Sequence, residues 1–280
     1  MKKLRLALMD MNNGVPNQGM KGLRDIVHRF KQPDGKFPGL IVDEFDVRKK
    51  HQVPGIDYDI YISSGGPGDP RRNTKPWEKQ WYELIDQVWI NNQTSKKKKH
   101  VFFICHSFQM ACRHFGLCKV TRRKSTSFGI YPIHKTAKGK QDWLLEKLGD
   151  PYYGIDSRDW QLVEPKKARF KQLGADILSL EKIRTHVEYE RAIMAIRFSP
   201  ELVGTQFHPE ADPEGMKIHF RKKTNREKVI KNFSVRKYHK MMEFLDSPEA
   251  ISRTHATIIP GFLNHAIASL STIPVNEYAA

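Results

Sequence analysis

Hydrophobic positions along this chain fall into short blocks whose period switches repeatedly between that of a strand and that of a helix. Residues 4–11 form an almost continuous apolar run and read as a buried strand. Asn12-Asn13-Gly14-Val15-Pro16 breaks the run, and a helical stretch follows around residues 19–30. Residues 40–47 read as a second strand and residues 58–63 as a third, which ends sharply in Ser64-Gly65-Gly66-Pro67-Gly68-Asp69-Pro70. Trp81, Leu84, Ile85, Val88 and Trp89 then recur at helical spacing, and after lysines 96–99 the segment 100–104 forms a short apolar strand. This alternation predicts an α/β fold with a mostly parallel sheet, helices on both faces, and chemistry at the carboxyl ends of the strands.

Further along, the pattern changes. Residues 119–138 read as short β-like pieces containing Gly129 and Pro132, followed by a helical stretch at 143–148 and a polar, proline-punctuated stretch to Glu164. These predict a small antiparallel annex. Residues 192–198 and 202–207 read as two strands joined by Ser199-Pro200-Glu201 in a hairpin-like connection, the second delivering His208-Pro209-Glu210. Residues 216–245 are basic and helix-prone, and 247–270 suggest one or two further helices.

Composition narrows the classes. The 280 residues are 39% hydrophobic, enough to bury a large core, which excludes disorder throughout. No run approaches the roughly 18 apolar residues of a membrane helix, and the opening stretch meets Asp10 too early for a signal peptide, so a soluble, cytoplasmic protein with no membrane partner is expected. Cys105, Cys112 and Cys118 are odd in number and lack zinc-type pairing, which argues against a disulfide framework and a Cys-rich metal site. The 12 histidines show no His-x-x-x-His or His-x-x-Glu-His pattern, and no phosphate loop or dinucleotide fingerprint is present, so neither metal nor cofactor is expected. A net charge of +17 favours contact with nucleic acid, an acidic protein or an anionic surface without choosing among them. Residues 211–240 concentrate that charge, with ten Lys and Arg against Asp212, Glu214 and Glu227.

Three segments carry candidate chemistry. Cys105 ends an apolar strand and begins a helix, where a sharp turn exposes the sulfur and free N–H groups favour a thiolate. The glycines of Ser64-Gly65-Gly66-Pro67-Gly68-Asp69 let backbone N–H groups turn toward a developing oxyanion beside it, with His106 N–H as the second donor. His208 and Glu210, two apart at a strand end, supply a base and the acceptor that orients it. Each alone is ordinary: a buried cysteine, a Gly-Pro turn, a surface His-Pro-Glu.

Their order and spacing together resemble the class I (triad) glutamine amidotransferases, including the amidotransferase part of GMP synthase. The resemblance rests on Ser64-Gly65-Gly66-Pro67-Gly68, on Ile104-Cys105 with Gln109, and on Gln206-Phe207-His208-Pro209-Glu210, with Phe128-Gly129-Ile130-Tyr131-Pro132 similar to a later family strand. It covers residues 1–215 and implies a flavodoxin-like sheet and hydrolysis of the glutamine side-chain amide through a γ-glutamyl thioester, with release of ammonia. Carried over by position, Cys105 is the nucleophile, His208 the base and acid, Glu210 the orienting carboxylate, Gly66 and His106 the oxyanion donors, and Gln109 and Gly65 substrate contacts. The elbow departs from the family's Gly-x-Cys-x-Gly: Phe103 and Ser107 stand where the glycines belong. Ser157-Arg158-Asp159-Trp160 matches a second family segment only at Asp159.

Residues 216–280 are expected to be a basic helical C-terminal extension packed on this unit, with Val229, Ile230, Phe233, Met241, Phe244 and Leu245 forming its inward stripe. They contain no nucleotide-activating motif, so a synthase receiving the ammonia would be a separate subunit. The same acyl chemistry serves a γ-glutamyl amide or peptide, and a non-catalytic basic binding module that kept the fold is the competing class. Nucleic-acid binding is expected to be at most weak and non-specific.

Overall fold

The computed structural model describes residues 3–15, 17–32, 37, 39–72, 74–183 and 190–271. Pro16, part of the break after the first strand, lies outside them. In chain order the first part comprises β1 (Leu4–Asp10), α1 (Gln18–Lys31), β2 (Leu40–Asp46), β3 (Ile60–Ser63), α2 (Pro76–Thr94), β4 (His100–Ile104) and α3 (His106–His114). Then come β5 (Lys119–Lys135), α4 (Ala137–Gln141), β6 (Tyr152–Val163), α5 (Lys167–Leu173), β7 (Asp176–Glu181), β8 (Ile193–Arg197) and β9 (Leu202–Thr205). The chain closes with α6 (Pro213–Arg221), α7 (Lys223–Asn232), α8 (Val235–Asp246), a π-helical turn (Pro248–Ser252) and α9 (Arg253–Ser271).

The strands form one sheet in the order β2-β1-β3-β4-β9-β8-β7-β5-β6. From β2 to β9 every pairing is parallel; from β9 to β6 every pairing is antiparallel. Alternate side chains of the parallel strands enter opposite layers. Leu4, Leu6 and Leu8 of β1 and Phe102 and Ile104 of β4 share a core with α1 and α9. Ala7 and Met9, with Val101 and Phe103, share the other with α2 and α3. Burial on both faces explains why these strands read as continuous apolar runs. Strand order reverses beside β1, so the crevice at the carboxyl ends of β1, β3 and β4 is the natural ligand position.

The annex differs from its expectation. Residues 119–135 form one long strand, with an irregularity between Arg122 and Ser127, rather than short pieces. The polar stretch before Glu164 is β6, whose charges are neutralised inside the sheet: Arg158 Nε reaches both Asp156 oxygens at 2.8 and 2.9 Å. Residues 143–148 are turns, not a helix. Asp142 holds them, accepting from Leu144 N–H at 3.0 Å and from Arg197 Nη2 at 2.7 Å, while Leu144, Leu145 and Leu148 are buried.

The C-terminal helices pack in two places. Helices α6 to α8 bury Phe220, Val229, Tyr238, Met241 and Leu245 against Ile130 and Ile155 of the annex. Helix α9 instead joins the core of β1 and α1, with Phe262 edge-on to Phe102 at 5.2 Å. Of the anticipated stripe, Phe233 is the exception: it is 42% exposed and stacks on Phe128 at 5.1 Å. Among the described residues, no helix is long and apolar enough to cross a membrane.

Candidate active site

Cys105 occupies the turn between β4 and α3 with φ +49° and ψ −99°, a left-handed conformation uncommon for a side-chain-bearing residue. Its N–H donates to Thr205 O at 2.8 Å and its carbonyl accepts from Gln109 N–H at 3.0 Å, so the strand ends and the helix begins on one residue. Ser107 braces the turn. Its hydroxyl accepts from Ile104 N–H at 3.0 Å and donates to Ser63 O at 2.7 Å, tying the elbow to the end of β3.

Phe103, the other departure at the elbow, points away from the candidate chemistry. It is fully buried, edge-on to Trp81 at 5.8 Å and to Phe198 at 5.6 Å. Its register partner on β9 is Gly204, where an added Cβ would lie 3.0 Å from Phe103 Cβ and 2.5 Å from the Phe108 ring. The glycine on β9 thus leaves room for the Phe103 and Phe108 side chains behind the elbow.

Beyond β9, His208 N–H donates to Ile155 O at 2.8 Å and fixes the His-Pro-Glu segment against β6. His208 Nδ1 and Glu210 Oε1 are 2.8 Å apart, with the Glu210 side chain 1% exposed. Gly65 makes the approach of histidine and cysteine possible, since a Cβ there would lie 2.8 Å from His208 Cε1 and 3.4 Å from Cys105 Cβ. Burial lowers the His208 pKa, but the Glu210 carboxylate and the Cys105 sulfur outweigh it and hold the value well above ordinary. Gly22 of α1 is as constrained: a Cβ there would lie 2.0 Å from Glu210 O.

Gly66 lines the same space and is held close to β1, an added Cβ meeting Met11 O at 2.2 Å. Arg48 spans that joint, its Nη1 donating to Met11 O at 3.1 Å and to Pro67 O at 2.5 Å. His106 is the first residue of α3, so its N–H has no carbonyl one turn earlier to bond. Its ring plays a different part from that of His208: burial first, and then the Arg48 cation, push its pKa down to about 3, and it is neutral at physiological pH. Gln109 lies behind the cavity rather than in it. It is 2% exposed, and its Nε2 donates to Gln206 Oε1 at 3.0 Å and to Trp160 O at 3.3 Å. Gln206 turns its own Nε2 to Cys105 Sγ at 3.7 Å, so Gln109 is linked to the sulfur through Gln206. Asp159 faces solvent and accepts from Thr126 Oγ1 at 2.5 Å.

A cavity of about 950 Å³ opens over Cys105, His208 and Glu210. One wall carries Asn12, Asn17, Gln18, Ser64, Gly65 and Gly66; the other carries Phe128, Ile155, Met216, Phe220, Val229 and Phe233, together with the polar His219, Asn225, Lys228 and Asn232 of α6 and α7.

The glutamine amidotransferase class-I family model matches residues 39–227, more than half the chain and all three of these candidate residues. The chain belongs to this family. No curated protein is similar in sequence. Among solved structures, the amidotransferase fold recurs in a glutamine amidotransferase from Thermotoga maritima, at 16% identity, TM-score 0.66, and coverage of 98% of this chain and 100% of that one. A glutamine amido transferase from Methylobacillus flagellatus gives 16% identity and TM-score 0.62 over 97% and 94% of the two chains. The glutaminase domain of Trypanosoma brucei CTPS, solved with bound acivicin, gives 12% identity and TM-score 0.55 over 98% and 96%. At these identities the likeness concerns the fold.

Proposed function

We propose that this class-I amidotransferase chain is a cysteine-dependent amidase acting on the side-chain amide of glutamine. The observation that carries the reading is His208, held at 2.8 Å by a buried Glu210 on one side and against Cys105 across Gly65 on the other. Glu210 engages Nδ1, leaving Nε2 to exchange a proton with the sulfur. Cys105 Sγ attacks the amide carbon, the oxygen's developing charge is taken by the N–H groups of Gly66 and His106, and the C–N bond breaks as His208 gives its proton to the leaving nitrogen. Water, deprotonated by His208, then cleaves the γ-glutamyl thioester to glutamate. In the glutamine reaction the released ammonia passes to a separate synthase subunit, and three free cysteines fit a reducing, cytoplasmic setting.

The test is release of glutamate and ammonia from glutamine by the purified protein, alone and with candidate synthase subunits. Cys105→Ala is expected to lower turnover about a thousandfold or more. Turnover unaffected by that substitution would remove the reading.

A further inference from the structure

We infer that the ring-lined wall of the cavity is a subsite for the amine side of the substrate, and that besides glutamine the site takes γ-glutamyl conjugates of ring-bearing, apolar amines. This rests on the amidase reading above and names the substrate class of the same site. The first argument is size. A cavity of about 950 Å³ lies at the upper end of the roughly 300–1,000 Å³ typical of pockets for drug-sized ligands, far more than a free amino acid fills.

The second argument is polarity. A glutamyl group carries an ammonium and a carboxylate, and placing either against Ile155, Phe220 and Val229 would strip its water without return. The charged end therefore belongs at the wall of Asn12, Gln18 and Ser64, where amides and hydroxyls line the cavity. With the acyl carbon at Cys105, the opposite wall is left for what hangs from the amide nitrogen. His219, Asn225, Lys228 and Asn232 stand on that wall too, but Lys228 and Asn232 are exposed at the rim and Asn225 Nδ2 is spent on His219 O at 2.9 Å, so the rings and aliphatics form its inner part.

The third argument is the rings themselves. Phe128 stacks on Phe233 at 5.1 Å with planes 11° apart and meets Phe220 edge-on at 6.0 Å. Phe233 remains 42% exposed, a large apolar side chain at the cavity mouth that an incoming ring would cover. Phe220 and Val229 are buried in the cluster that attaches α6 to α8 to the annex, so the extension builds this wall. In the reaction, the S–C bond forms as the amide C–N bond breaks, the amine leaves with a proton from His208, and water releases glutamate by cleaving the thioester.

Binding and turnover separate the two layers of the proposal. In a Cys105→Ala background, calorimetry compares γ-glutamyl-phenethylamide, γ-glutamyl-ethanolamide and glutamine, with and without Phe233→Ser. The phenethylamide is expected to bind about tenfold or more tightly than the other two, and Phe233→Ser to remove most of that preference. Equal affinities, or a preference untouched by Phe233→Ser, overturn the subsite. Turnover by the wild-type protein is followed in parallel as released amine or ammonia. Glutamine hydrolysis without the binding preference removes the subsite and leaves the amidase reading. The preference without hydrolysis of any of the three compounds removes the amidase reading and leaves the subsite.

Discussion

The two walls of the cavity are built by different means. The wall carrying Cys105 is made of backbone: a left-handed cysteine, two glycines brought against His208 and Met11, and hydrogen bonds from Ser107 and Arg48 that bind three loops together. The facing wall is made of side chains from β5, β6, α6 and α7, rings and aliphatics with polar residues such as Asn232 and Lys228 at its rim. Backbone turns tolerate few substitutions and hold reacting atoms to fractions of an ångström, which acyl transfer requires. Packed side chains can be exchanged at little cost to the fold, and so suit the choice of substrate. On the proposed reading chemistry and selectivity are therefore separable, and substitutions on the two walls should differ in kind.

After Cys105→Ala, the largest effect is expected from Glu210→Gln, which keeps the shape but removes the negative charge proposed to orient His208 and favour its protonated form. Turnover should fall about a hundred- to ten-thousandfold while substrate binding changes little, as kinetics on wild type and variant would report. The histidine also gives a signed pH effect. Because its folded value is raised, protonated His208 stabilises the protein fully below the ordinary histidine value of about 6.5, and that contribution is lost as pH rises through the raised value. Urea midpoints of wild type and His208→Gln, measured across pH, should therefore converge on the alkaline side.

Gly22→Ala is next. Its Cβ would lie 2.0 Å from Glu210 O, so α1 or the loop carrying Glu210 must move, at a cost of about 3 kcal/mol in urea unfolding together with loss of activity. Ser107→Ala is smaller: losing its bond to Ser63 O should cost about 1 kcal/mol and lower turnover several-fold, and Ser107→Gly should not restore it. Smallest is the basic outer face of α6 to α8, where we expect weak nucleic-acid binding abolished by physiological salt, with no sequence preference in a filter-binding series. Tight, sequence-selective binding there would promote the binding-module alternative.

The parallel half was legible in the sequence because burial on both faces leaves β1, β3 and β4 almost wholly apolar, with only Arg5 and His100 interrupting them before the final Asp10 and Ser63. The annex was obscured by its own charges. Asp156 and Arg158 belong to the stretch read only as polar and proline-punctuated, yet, two apart on one face of β6, each neutralises the other, and charge in a buried strand masks the apolar alternation that marks one. The triad candidates could be read from order and spacing, whereas Gln206 and Arg48 could not, since their roles come from contacts with residues far along the chain. One signal was present and unused: Gly19 and Gly22 lie within a single helix, where glycine is costly, and both mark the close approach of Glu210.

The central claim is that Cys105 is activated by His208, and brief iodoacetamide treatment followed by mass mapping tests it without knowledge of the substrate. All three thiols are buried and free. Burial, with Cys118 beside it, holds the Cys112 thiol well above its ordinary range. The account predicts that Cys105 is alkylated first and that His208→Gln slows its labelling about tenfold or more. Labelling of Cys112 or Cys118 ahead of Cys105, or a Cys105 rate indifferent to His208→Gln, would contradict it.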